Sequence, residues 1–481
     1  MKIKEIIYPD EYIYSTVPED AEFSKITTTP SEADCESVLI ITNSKKEINL
    51  SQNNPPAAII CDMEAIIPEG FATVRVENSR IAAAFAYYRF ARPDLSKMKI
   101  IGITGTNGKT STASFTRHIL SHCGYRVGFI GTGRIEIDGE LISDSNYSMT
   151  TPDPSLLYNI MKEMEQKGCD AIVMEVSSHA LALHKVAPIY FDYALFTNLS
   201  PEHTDFHENM ENYFRAKMKL FSQTKIAIFN IDDEYGRRAY EECACEKLGV
   251  GALWRRDAWV TSLQNNGLSG IEYIYNQRIF SFKLKLKTPG SYNVYNSLLA
   301  MTLCIDMGCK PCKVKEALEE IETIPGRFEI IKDEVTVIID YAHTDCAFNN
   351  IMKDLHDAKG NSRLWVIFGC GGERDRRKRP KMAEIAEKYA DKIIVTTDNS
   401  RGEDPKDIIS DIIRGFKNTS YEINENRENA IKTAILSANK RDFVAIIGKG
   451  CEKYNIDSKG YHDFDEKAIV RVALEKRKLC E

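Results

Sequence analysis

The 481-residue sequence contains no apolar run long enough to span a bilayer, no internal repeat and no low-complexity tract. The first absence argues against membrane insertion. Positive charge is not in surplus either. Lys and Arg number 63 against 70 Asp and Glu, a formal charge of −7, which argues against a protein that coats nucleic acid. The opening Met1–Asp10 lacks the long apolar core of a signal peptide, so a cytoplasmic protein is expected. A disulfide framework is also missing. The 13 cysteines are odd in number and spread from Cys35 to Cys480, and a chain this long buries a core without them. Cys309-Lys-Pro-Cys312 has redox or zinc spacing, but no matching pair lies nearby. A plain connection between two helices is the expectation.

What is present is ordinary for a folded enzyme: 43% hydrophobic and 28% charged residues. At about 150 residues per domain, three domains are expected. Residues 1–97 read as irregular, with strands at 37–42 and 57–61, a loop at Ser51–Pro56 and a helix at 79–92. From residue 98 strands and helices alternate, which predicts an α/β fold with a mostly parallel sheet and helices on both faces. Residues 253–286 alternate differently and predict an antiparallel portion. A second α/β unit begins near Arg327, with strands at 335–340, 364–368, 392–396 and 443–447. Boundaries are therefore placed at 1–97, 98–326 and 327–481.

Ligands of open α/β sheets gather at the carboxyl ends of strands, so the segments that end each strand hold the candidate chemistry. Thr104-Gly-Thr-Asn-Gly-Lys-Thr110 follows a strand and opens a helix. Backbone N–H groups of Gly105, Thr106, Asn107 and Gly108 can cradle phosphate oxygens. Lys109 supplies charge, and the Thr110 hydroxyl can hold Mg²⁺. The strict phosphate-loop spacing wants Gly where Ile103 stands. Met174–His179 offers Glu175, and Asn198–His207 offers His203, Asp205 and His207. With His184, four of the nine histidines fall between 179 and 207. Zinc is one reading, and beside a phosphate loop Mg²⁺ is the better fit. Asp340–His343, Gly369–Arg379, Thr397–Arg401 and Gly448–Glu452 close the later strands. Their mixture of charge signs suits a zwitterionic substrate such as an amino acid.

Taken together, these segments resemble the Mur ligase family, and within it the MurE type that adds the third amino acid to a UDP-N-acetylmuramoyl-dipeptide. The resemblance runs from about residue 85 to 475. It implies a small N-terminal α/β domain for the uridine nucleotide, a central P-loop ATPase-like domain and a C-terminal Rossmann-like domain for the amino acid. It also implies amide formation through an acyl phosphate, with ATP and Mg²⁺, in peptidoglycan precursor synthesis by a monomer. By the same resemblance Lys109 binds phosphate, while Thr110, Glu175, His203 and a carbamylated Lys217 serve metal. Asn293 and Asn296 lie around adenine, and Arg327 and Asp340 contact nucleotide near the domain junction. Thr150, Thr151, Ser177 and Lys185 fall on the UDP-sugar side. Arg374, Asn399, Arg401, Gly448 and Glu452 form the amino-acid pocket.

Departures from the family pattern are local. Thr29-Pro30-Ser31 stands where Asp-Ser-Arg is usual, and Lys185 where Arg is usual, which loses a bidentate fork. Ser400 replaces Pro and Cys451 replaces His. Asn399 and Arg401 match the type that holds the distal carboxylate of meso-diaminopimelate, the preferred third residue; L-lysine and other diamino acids are alternatives. Two further readings stay open: a paralogue serving a different carrier, and an ATP-binding partner subunit without catalysis.

Overall fold

The computed structural model describes residues 1–43, 50, 54–142, 149–278, 280–417 and 420–479. Three sheets follow one another along the chain. The first has five strands in the spatial order Tyr14–Ser15, Thr73–Val76, Ala58–Asp62, Ser37–Ile41, Lys25–Thr27. All pairs but the first are parallel. Its three shortest strands escape the sequence reading of an irregular segment, because two to four residues carry no measurable period. Ser51–Asn53 of the expected loop lie outside the described residues. The helix Ser79–Ala91 packs on this sheet. It starts where Asn78 accepts from the N–H groups of Arg80 and Ile81, and ends at Arg92 in a left-handed turn.

The second sheet has eleven strands. Its parallel centre runs in the order Glu246–Gly251, Thr224–Asn230, Phe191–Phe196, Lys99–Thr104, Ala171–Glu175, Val127–Gly131. These strands are almost continuously apolar because helices cover both faces. The antiparallel portion read from the sequence appears as Ala258–Asn265, Ile271–Gln277 and Phe280–Leu286. A second antiparallel flap, Arg134–Ile137 with Glu140–Leu141, closes the other edge. The strand Lys99–Thr104 lies mid-sheet, and its carboxyl end opens directly into the helix Lys109–His122.

The third sheet has the order Glu329–Lys332, Thr336–Asp340, Phe443–Ile447, Leu364–Phe368, Lys392–Val395, Glu422–Ile423, parallel after the first pair. A small hairpin, Tyr454–Asp457 with Gly460–Asp463, lies beyond it. Cys309 lies in the connection between two helices, Asn293–Asp306 and Pro311–Glu320, and Cys312 in the first turn of the second. All twelve cysteines among the described residues are free thiols. No helix among those residues is long and apolar enough to cross a membrane.

Candidate functional site

The loop after Lys99–Thr104 is built by close approach of its backbone to Thr197 and Asn198. Gly105 has φ +150°, and a Cβ there would sit 1.8 Å from Thr197 Oγ1. Thr106 N–H donates to the Asn198 carbonyl at 2.9 Å, and Asn107 N–H to Asn198 Oδ1 at 3.0 Å. Thr197 Oγ1 and Asn198 Nδ2 both donate to the Asn107 carbonyl, at 2.6 and 3.0 Å. The segment ending Phe191–Phe196 thus acts as the loop's mould, a role the sequence reading did not assign to Thr197 or Asn198. Asn296 supports it from the other side, with Thr112 Oγ1 donating to its Oδ1 at 3.3 Å. Asn293 holds Asn296 in turn, accepting from its Nδ2 at 2.9 Å.

Two lysines converge on this loop. Lys109 Nζ donates to the carbonyls of Gly105 and Thr106, both at 2.9 Å. Lys217, on the helix Met210–Met218, is buried and donates to the Gly105 carbonyl at 3.0 Å. Burial lowers the proton affinity of both amines, that of Lys217 well below an ordinary lysine's, and the Lys109 cation lowers that of Lys217 further. Lys217 lies over the Tyr213 ring, 4.6 Å from its centre, and Tyr213 Oη meets Thr106 Oγ1 at 3.1 Å.

Glu175 ends its strand fully buried. Its Oε2 accepts from Thr110 Oγ1 at 3.1 Å and from Thr132 Oγ1 at 3.3 Å, and its Oε1 from Thr132 N–H at 3.1 Å. Arg327 crosses from the start of the third sheet's segment to donate to Thr110 Oγ1 at 2.9 Å, its guanidinium 4.2 Å from the Tyr341 ring centre. Asp340 caps the same turn, accepting from Phe328 N–H at 2.6 Å and Ala342 N–H at 2.7 Å. Thr150 contacts Thr132 at 3.0 Å, and Thr151 donates to the Glu175 carbonyl at 2.9 Å while receiving Ser177 N–H at 3.0 Å. Lys185 is paired with Asp153 at 2.7 Å.

His203 stands edge-on to His179, with ring centres 4.7 Å apart, and also borders Tyr213. Desolvation lowers its proton affinity, to about pKa 3. His207 contacts Ser178 Oγ at 3.0 Å and is brought to about 4. No group of three or more His, Cys, Asp and Glu side chains among the described residues is arranged to hold a metal ion. Glu202, beside His203, was not singled out from the sequence. It accepts from His343 of the third sheet's segment at 2.7 Å, and the flanking histidines and Lys109 hold its carboxyl well below the ordinary range despite burial.

The strand ends of the third sheet assemble a second cluster. Asn399 Nδ2 donates to Glu452 Oε2 at 2.9 Å, and its Oδ1 receives Lys449 Nζ at 2.8 Å. Lys449 is fully buried and also lies 3.4 Å from Asp398 and 3.7 Å from Glu452. Gly448 N–H donates to the Asp340 carbonyl at 2.9 Å, joining this cluster to the Arg327 turn. Arg401 Nη1 donates to the carbonyls of Gly372 and Asn399, at 2.9 and 3.2 Å. Arg374 stands near Arg401, and that like charge together with desolvation weakens its hold on the proton. Lys449 was missed although it lies within Gly448–Glu452; a buried lysine reads like any surface one.

A phosphate-type loop with a buried lysine on its carbonyl, joined through Arg327 to a mixed-charge cluster, fits the class of ATP-using ligases. The comparisons agree. The Mur ligase middle domain matches residues 103–304, and the Mur ligase, glutamate ligase domain matches residues 326–450. The chain belongs to the Mur ligase family. It is 40% identical over 402 residues to UDP-N-acetylmuramoyl-L-alanyl-D-glutamate–2,6-diaminopimelate ligase 1 of Clostridium acetobutylicum, covering 82% of each chain. It is 39% identical over 427 residues to the ligase of the same name from Caldanaerobacter subterraneus, covering 88% of this chain and 87% of that one. A solved structure bearing this ligase name aligns over 99% of both chains, with a TM-score of 0.67 and 26% identity. A pseudomurein peptide ligase type C from Methanothermus fervidus shares the fold, at TM-score 0.58 and 18% identity, over 82% of this chain and 84% of that one.

Proposed function

We propose that this chain is the ATP-dependent ligase that adds meso-diaminopimelate to UDP-N-acetylmuramoyl-L-Ala-D-Glu during peptidoglycan precursor synthesis. It would act in the cytoplasm as a monomer. Residues 1–97 would take the uridine nucleotide, 98–326 the ATP, and 327–481 the amino acid. The observation that carries this reading is the buried Lys449–Asn399–Glu452 cluster beside Arg374 and Arg401. It offers carboxylate and guanidinium partners for both ends of a diamino dicarboxylic acid. Its Arg327 turn reaches the phosphate loop directly.

The residues present fit Mg²⁺ and a carbamate. Thr110 and Glu175 already face each other at 3.1 Å, a hydroxyl and carboxylate pair suited to a hard cation. Lys217 is held where burial favours the neutral amine, the form that can take up CO₂. Thr110, Glu175, His203 and carbamylated Lys217 would hold Mg²⁺, which when bound neutralises phosphate charge. The loop N–H groups and Lys109 orient the γ-phosphate for attack by the substrate carboxylate, giving an acyl phosphate and ADP. The pocket then positions the incoming amine against the acyl carbon. Phosphate leaves as the amide forms, and the amine loses a proton. Catalysis rests on positioning and on placed charge.

Phosphate release with ATP, Mg²⁺ and the nucleotide dipeptide, run in parallel with meso-diaminopimelate, L-lysine and no amino acid, tests the reading. Turnover that needs meso-diaminopimelate, with the matching product mass, is the expected result. Turnover with lysine alone would overturn the pocket assignment. Turnover with neither would point to another carrier, a possibility motivated by Thr29-Pro30-Ser31 and Lys185.

A further inference from the structure

The helix Lys378–Tyr389 begins with a side chain that the proposed reaction does not use. Arg379 has no solvent exposure and ranks first by volume among the fully buried side chains. A guanidinium in that position needs partners, and those it has are specific. Nη1 and Nη2 donate as a fork to the two oxygens of Glu403, at 3.0 and 3.1 Å. Nη1 also donates to Asp411 of the helix Pro405–Ile413 at 3.0 Å, and Nη2 to the Gly371 carbonyl at 3.3 Å. Glu403 in turn accepts from Glu373 N–H at 2.5 Å and Arg376 Nη2 at 3.0 Å. One buried cation therefore ties together the turn after Leu364–Phe368, the turn after Lys392–Val395 and the helix that follows.

Those two turns carry Arg374 and Arg401. They are joined again by Gly372 N–H donating to the Asn399 carbonyl at 2.9 Å and by the Arg401 contacts given above. Arg401 and Glu373 both have φ +52°, a left-handed conformation that such residues hold only when their surroundings impose it.

We propose that Arg379, acting through Glu403, is a positioning residue for amino-acid recognition. It sets the spacing of the two turns so that Arg374 and Arg401 stand where a diamino dicarboxylic acid needs them. The inference rests on the amino-acid pocket proposed above.

Steady-state kinetics of the full chain test it, comparing Arg379→Lys, Glu403→Gln and Arg401→Ala. Lysine keeps the charge of Arg379 and loses the fork. The expected result for Arg379→Lys and Glu403→Gln is a rise in KM for meso-diaminopimelate of about 10- to 100-fold, with KM for ATP and for the nucleotide dipeptide within about twofold. Combining Arg379→Lys with Arg401→Ala should add less than the product of the single effects. If Arg401→Ala leaves KM for the amino acid unchanged, the pocket reading falls and this inference with it. If Arg401→Ala raises that KM but the other two variants leave it unchanged, or shift all three KM values alike, Arg379 is structural only and the inference alone is overturned. Should Arg379→Lys not fold, Glu403→Gln alone carries the test, since it weakens the fork and keeps the side chain's shape. A selective rise in amino-acid KM supports the inference, and an unchanged value overturns it.

Discussion

The Gly105 loop and the Asn399 cluster are organised in different ways. Around Gly105 the loop's own backbone groups are held by the side chains of Thr197 and Asn198 and by the Asn198 carbonyl, and a Cβ would stand 1.8 Å from Thr197 Oγ1. Around Asn399 side chains meet side chains, and buried opposite charges hold the geometry. The loop is local, with seven consecutive residues and one mould. The cluster draws on the ends of several strands. The difference teaches where variation is tolerated. The departures from the family pattern at Ser400 and Cys451 fall in the cluster, and neither falls among Gly105–Thr110.

The sharpest way to break the comparison is at the point where a buried lysine serves the loop. Lys217→Ala removes the amine held on the Gly105 carbonyl. Turnover should fall by about 10³-fold or more, the scale seen when a placed charge-stabilising group is lost, and phosphate release measures it. Bicarbonate added to wild type but not to the variant should raise activity if the lysine works as a carbamate.

Lys449→Met breaks the other half. It leaves Glu452 without its buried cation and Asp398 with Arg427 alone. A loss of about 3–5 kcal/mol is expected in urea unfolding, together with loss of amino-acid dependence. ATP binding, read by isothermal titration, should survive, because the loop does not touch Lys449.

Asp233 tests the mould behind the loop. It accepts from Leu199 N–H at 3.3 Å and Gly236 N–H at 2.8 Å, and burial raises its carboxyl to about 6. A raised carboxyl binds its proton more tightly in the folded state. Its stabilising contribution is therefore complete below the ordinary value of 3.8 and is lost as pH rises through about 6. Asp233→Asn keeps the accepting oxygen and removes the charge. Its stability relative to wild type should improve by about 2 kcal/mol between pH 4 and pH 8. Urea midpoints at the two pH values check this, and a pH-independent difference would refute it.

The smallest effect is expected at the seam. His343→Ala removes the partner of Glu202. With both ends of the pair otherwise supported, kcat should fall about 10-fold, with KM for meso-diaminopimelate little changed.

How much of this was readable beforehand follows from the same contrast. The strand before Gly105, the helix after it and Lys109 are adjacent in sequence, so period and spacing announce them. The apolar runs at Phe191–Phe196, Leu364–Phe368 and Phe443–Ile447 announce parallel strands for the same reason. The strands Lys25–Thr27 and Glu422–Ile423 are too short to carry a period. Glu202, Arg379 and Lys449 matter through partners roughly 24 to 141 positions away, and charge alone does not reveal burial. Lys217 was singled out only through the family resemblance; its own helix gives no sign that it points inward.

The contact from Arg327 to Thr110 and that from His343 to Glu202 span the same seam. Both require the second and third sheets to stand at one particular separation. Free energies at the two sides are therefore joined. A ligand on one side that, through this arrangement, tightens the hold on a second ligand across the seam is itself held more tightly by the same factor once the second is bound. For two ligands coupled in this way, an affinity measured on one side has meaning only with the occupancy of the other side stated.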